Sequence, residues 1–190
     1  ALLVEGTRRV GKSYIVEAFA REAYRSYIMI DLSYMPKALQ GVFDDYLNDI
    51  PMFLSLLQNV TGIQLYDRES LIIFDEVQAY PKARQAIKHL VADGRYDYIE
   101  TGSLVGIMEN TQGILLPSEE RTVKMYPMDF EEFLWAMGDE MTMPFIRMCF
   151  EGKKPMGPMH RKTMELFRQY MIVGGMPQAV ERYVETRLFK

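Results

Sequence analysis

Gly6-Thr7-Arg8-Arg9-Val10-Gly11-Lys12-Ser13 is the stretch from which the fold can be read. It matches G-x-x-x-x-G-K-[ST], a pattern in which each fixed position has a physical task. The glycines let successive backbone N–H groups wrap a polyphosphate. A helix starting at the end of the loop adds partial positive charge. Lys12 is placed to neutralise β- and γ-phosphates, and the Ser13 hydroxyl to ligate Mg²⁺. Gly6, Thr7, Arg8, Arg9, Val10, Gly11, Lys12, Ser13 and Tyr14 form the expected nucleotide-binding set. With glycine at about 7% of residues, chance produces the pattern in about 1% of chains this long. The surroundings make accident rarer still. Ala1 to Glu5 is an apolar run typical of a buried strand, and Ile15, Val16, Phe19, Ala20 and Ala23 recur at helical spacing.

Further along, strand and helix patterns alternate. Ser26 to Leu32 reads as a second strand, followed by helices from Pro36 to Asn48 and from Pro51 to Val60. Leu71 to Phe74 is a third strand. Pro81 to Asp93 is a helix ended by Gly94, and Tyr96 to Glu100 a fourth strand leading into Thr101-Gly102-Ser103. Residues 107–120 read as irregular, and Thr122 to Tyr126 as a fifth strand. Alternation of this kind predicts a three-layer α/β architecture, a mostly parallel sheet with helices on both faces. From Asp129 the pattern becomes helical, with Asp129 and Glu132 spaced for a capping box. Gly152 to Pro158 is the best linker candidate. The expected division is a nucleotide-binding core over 1–137 and a helical lid over 138–190. Phe130, Phe133, Leu134 and Trp135 are expected to pack that lid.

The third strand ends in Asp75-Glu76, and a strand end in a doubly wound sheet faces the nucleotide crevice. Asp75 is therefore expected to hold Mg²⁺, and Glu76 to orient or deprotonate an attacking water. A hydroxyl after the fourth strand, Ser103 or Thr101 with Ser103 preferred, is placed to sense the γ-phosphate. Arg121 is the first choice for an arginine acting on transition-state charge; Arg8 and Arg9 are the others. No Asn-Lys-x-Asp guanine motif occurs, and the Glu directly after Asp75 is uncommon in small-molecule kinases. Both points favour an ATPase.

Composition sets the outer limits. The chain has 190 residues, net charge −4, 48% hydrophobic and 25% charged residues, ordinary for a globular domain. An acidic balance argues against a protein that grips nucleic acid mainly through charge. One cysteine, Cys149, excludes an internal disulfide framework, and a cytoplasmic protein is expected. No apolar run is long enough for a membrane span, and no signal peptide is read. His89 and His160 lack partners at zinc-ligand spacing. Because the sequence opens inside a strand, it is expected to be part of a larger protein.

Together the motifs resemble the AAA-type P-loop ATPases of bacteria and archaea. The matching pieces are 6–13, Ile72-Ile-Phe-Asp-Glu-Val-Gln78, Thr101-Gly-Ser103, Tyr126-Pro-Met-Asp-Phe-Glu-Glu-Phe-Leu134 and Gly174-Gly-Met-Pro-Gln-Ala-Val180. The first two are general to P-loop ATPases and the last two specific to this group. The resemblance implies an ATP-binding domain, a helical lid, and a further C-terminal domain that is missing here. It also implies that Gly175 and Pro177 lie near the nucleotide; the alternative is a plain interhelical turn. Family members often have Gly where Glu120 precedes Arg121. Three functions remain open: an ATP hydrolase, an ATP/ADP-controlled switch with slow hydrolysis, and a P-loop small-molecule kinase. An arginine supplied by a neighbour would require a homo-oligomer. The target, nucleic acid or protein, is not legible.

Overall fold

A computed structural model describes residues 1–103 and 120–189. The segment read as irregular, 107–120, lies outside the described residues except for Glu120. The chain divides into two compact units, Ala1–Met125 and Tyr126–Lys190.

The first unit is a parallel sheet of five strands in the order β2-β3-β4-β1-β5. The strands are β1 (Leu2–Gly6), β2 (Ser26–Asp31), β3 (Ser70–Asp75), β4 (Asp97–Ser103) and β5 (Arg121–Met125). Its helices are α1 (Lys12–Ala23), α2 (Lys37–Tyr46), α3 (Ile50–Thr61) and α4 (Pro81–Asp93). Leu71, Ile72, Ile73 and Phe74 of β3 are all fully buried because both sheet faces are covered. On one face α1 sets Val16 and Ala20 against Val4, Leu71, Ile73 and Ile99. On the other, Phe43 of α2, Phe53 and Leu57 of α3 and Ile87 and Leu90 of α4 pack with Ile72, Phe74 and Tyr98. Truncating Phe74 to Ala would cost about 3–5 kcal/mol, the usual value for a buried ring.

Local signals set the helix ends. Asp49 caps α3, its side chain accepting from Met52 N at 3.2 Å, and left-handed Gly62 and Gly94 follow α3 and α4. One strand runs further than its sequence suggests. The fourth strand reads as ending at Glu100, yet Thr101-Gly102-Ser103 forms the last three residues of β4. Pairing with β1 down to Gly6↔Ser103 overrides the local turn preference.

The second unit holds α5 (Phe130–Ala136), α6 (Thr142–Glu151), α7 (Met159–Val173) and α8 (Pro177–Thr186). The capping box forms: Glu132 N donates to Asp129 and Asp129 N to Glu132, each at 2.9 Å. Phe133, Val180 and Tyr183 make a small core with Met128, Phe130 and Tyr170. Met128, Phe130 and Phe133 belong to this core, and the compact unit that holds it begins at Tyr126. Trp135 does not join it and is 54% exposed, since α5 turns that position outward. Gly152 to Pro158, read as a linker, connects α6 to α7 inside the unit. The two motifs specific to the resembled group meet here. Met128 N donates to Gly175 O at 2.8 Å, and a Cβ on Gly175 would lie 2.0 Å from Met128 O. Glycine is required at that contact. Among the described residues, no helix is long and apolar enough to cross a membrane.

Candidate functional site

The phosphate-loop segment is held where β1 meets its neighbours. Gly6 registers with Met125 on one side and Ser103 on the other. A side-chain carbon on Gly6 would sit 2.3 Å from Met125 O, so the close passage of β5 demands glycine. Arg9 (φ 64°) and Gly11 (φ 95°) are left-handed. Left-handed residues within a turn bring successive N–H groups to one side, the geometry of an anion nest. Val10 is buried and pins the loop, whereas Thr7, Arg8 and Arg9 are exposed. Gly11 is the N-cap of α1, so the helix begins directly at Lys12.

Lys12 is 4% exposed, and its Nζ donates to Gly6 O at 3.2 Å and Thr7 O at 2.9 Å. Burial pulls its pKa below the ordinary lysine value; the charges of Glu76 and Asp75 oppose this and that of Arg8 adds to it. A polyphosphate would supply the missing counter-charge.

The strand end of β3 delivers the acids. Ser13 Oγ donates to Asp75 Oδ1 at 2.8 Å, and the Thr101 hydroxyl donates to the same oxygen. Glu76 follows in a left-handed conformation, φ 56° and ψ 49°. Its N–H donates to Thr101 Oγ1 at 3.2 Å, its carbonyl accepts from Ala79 N at 2.9 Å, and its carboxylate accepts from the Gln78 amide. A 3-10 turn, Val77–Ala79, carries Gln78.

The structure thus brings together Gly6, Lys12, Ser13, Asp75 and Glu76. Of the two hydroxyl candidates, Thr101 bonds to the Asp75 carboxylate and the Glu76 backbone N–H; Ser103 is buried beside Gly6 at the end of β4. Tyr14 is 79% exposed on the first turn of α1. Arg121 is not brought to the loop by its own strand. It registers with Leu2, whereas Gly6 registers with Met125. Four strand steps separate these ends, about 13 Å. Pro177 opens α8 in the second unit. Sequence reasoning missed Gln78, whose one available signal was an amide two residues after an acid. Ser13 Oγ and the Asp75 carboxylate are hard oxygen donors already in contact, a pair that fits Mg²⁺. Among the described residues no three His, Cys, Asp or Glu side chains converge for a metal; phosphate oxygens and waters would complete the coordination.

A family model described as "AAA domain" matches residues 1–134. No curated protein matches the sequence. Among solved structures, the chain is similar to the Aeropyrum pernix ORC1 protein in complex with DNA, with a TM-score of 0.45 and 11% identity over 70% of this chain and 41% of that one. It is also similar to C. elegans PCH-2, with a TM-score of 0.48 and 12% identity over 100% of this chain and 56% of that one. The chain therefore spans about half the length of these proteins, 41% and 56%.

Proposed function

This chain belongs to the AAA-type P-loop ATPase family, with an AAA domain over residues 1–134, and on that premise we propose that it binds Mg²⁺-ATP and hydrolyses it. The observation that carries the proposal is the contact between Ser13 Oγ and Asp75 Oδ1 at 2.8 Å, with Glu76 next in the chain. It joins the end of the phosphate loop to the end of β3. In this reading the backbone from Gly6 to Gly11 holds the phosphates, and Lys12 exchanges its carbonyl partners for their oxygens. Ser13 and Asp75 would hold the metal, which when bound would neutralise phosphate charge. Glu76 accepts a proton from the water that attacks the γ-phosphorus, and ADP leaves with the electrons of the broken bond. Thr101 fixes both acids. Arg121 would act on the γ-phosphate only from a second copy of the chain. The helical unit is the part whose position follows the nucleotide.

A second reading is a nucleotide-controlled switch with little intrinsic turnover. It is favoured by the resting partners of Lys12, whose Nζ is bonded to the loop carbonyls of Gly6 and Thr7. Phosphate release from ATP by the purified chain, with and without Mg²⁺, tests the proposal. Magnesium-dependent release that Glu76→Gln suppresses is the expected result. Stable ATP binding without release selects the switch. Failure to bind any nucleoside triphosphate at millimolar concentration overturns both.

A further inference from the structure

Glutamate side chains are long, and a backbone position alone does not fix where the carboxylate lies. Here the backbone is unusually constrained. A non-glycine residue with positive φ is uncommon and persists when its surroundings over-determine it. Glu76 is such a residue, held by Thr101 Oγ1 on its N–H, by Ala79 N on its carbonyl, and by fully buried Val77 directly after it. The turn that results places Gln78 so that its amide donates to Glu76 Oε2. We propose that Gln78 is a positioning residue that locks the Glu76 carboxylate in the orientation from which it engages water. The inference rests on the reading of Glu76 given above and names a residue which that reading does not require.

The chemistry follows from the donor. An N–H on Oε2 fixes the carboxylate plane and leaves Oε1 to take the water's proton. A freely rotating carboxylate would sample this pose only part of the time, and misplacement by about 1 Å can cost 10²-fold in rate. Gln78 acts through Glu76 and has no role in holding phosphate. Its loss should therefore lower turnover and leave ATP affinity intact.

The test uses Gln78→Met, which keeps length and bulk but carries no N–H donor. Single-turnover hydrolysis should fall on the order of 10-fold to 100-fold, with the Kd for ATP unchanged. Gln78→Glu, which sets a like charge against Glu76, should fall at least as far. In the Glu76→Gln background Gln78→Met should add nothing, since the group it positions is gone. Turnover by Gln78→Met that is unchanged or faster overturns the inference, as does a parallel loss of ATP affinity. So does an equal further loss in the Glu76→Gln background. These failures leave the role of Glu76 standing; normal turnover by Glu76→Gln would instead remove that role and the inference with it. A second readout needs no nucleotide. The side-chain amide resonance of Gln78 in the free protein should shift on Glu76→Gln, and an unmoved resonance overturns the contact even if Gln78→Met fails to fold.

Discussion

At the end of β3, Asp75 and Glu76 lie near Lys12; on the α4 face of the sheet, Glu100 and Glu120 lie beside Arg84. Each cluster has two acids and one base, and the two handle charge in opposite ways. Arg84 reaches Glu120 at 3.0 Å and Glu100 at 3.8 Å, with all three side chains at most 6% exposed. The positive charge is spent inside the protein. In the first cluster Lys12 bonds to backbone carbonyls, and the acids take hydroxyl and amide donors. The hydrogen-bond partners of these groups are neutral, which under the proposed function leaves them to engage phosphate and metal. The clusters differ in what bonds the cation: a carboxylate at Arg84, backbone carbonyls at Lys12.

The sharpest way to break this contrast is Glu76→Gln. If Glu76 is the group that engages water, single-turnover hydrolysis should fall about 10²- to 10⁴-fold while ATP remains bound. A rate within a few-fold of wild type would place Glu76 with the structural acids. Arg84→Met should do the reverse. It strands two carboxyl groups in the interior, and breaking a buried pair from one side costs about 3–5 kcal/mol. Urea denaturation should show that loss, and the folded fraction should keep its ATP affinity. Lys12→Ala comes next: ATP affinity should drop at least about 100-fold, roughly 2.7 kcal/mol. Unfolding should change little, because the lysine it removes is desolvated and lacks a carboxylate hydrogen-bond partner. Undiminished affinity in a calorimetric titration would contradict the use of Lys12 as the phosphate cation.

The two clusters also differ in how far the sequence reveals them. Gly6 to Ser13 and Leu71 to Glu76 are contiguous, and their chemistry is written in residue order: apolar run, then acids; glycines, then Lys-Ser. The contacts that complete the site are not contiguous. Thr101 reaches Asp75 because β4 continues three residues past Glu100, which depends on pairing with β1 and not on a local preference. Gln78 reaches Glu76 only because Glu76 adopts positive φ, a conformation no residue type there announces. Arg121 is the first residue of β5, and because β5 runs parallel to β1 its start lies at the end away from the loop. Arg84, Glu100 and Glu120 lie far apart in the chain, on a helix, a strand and a strand approach. Nothing in their spacing signals that they converge. Glu120 replaces the glycine common in the resembled family, and that departure was the one trace of the buried cluster.

A pH-dependent effect sharpens the comparison most, because it asks where the scaffold cluster keeps its proton. Burial, then the neighbouring Glu120 carboxyl, push the Glu100 pKa up to about 9, against the opposing pull of Arg84. The folded protein therefore holds a proton that the unfolded chain releases near 4.5. Between those values the folded state binds more protons, so this contribution to stability is complete below the unfolded pKa and declines as pH rises, until it is lost above the folded one. Glu100→Gln keeps the shape but has no proton to lose. Its unfolding free energy should exceed that of wild type at pH 8, because the wild type loses this contribution as pH rises. The gap should close as pH falls toward 5. A difference that stays constant across that range would mean that Glu100 is ionised in the fold, with Arg84 carrying two carboxylates at once. The scaffold cluster would then hold uncancelled charge as the phosphate site does, and the distinction between them would have to rest on access to solvent alone.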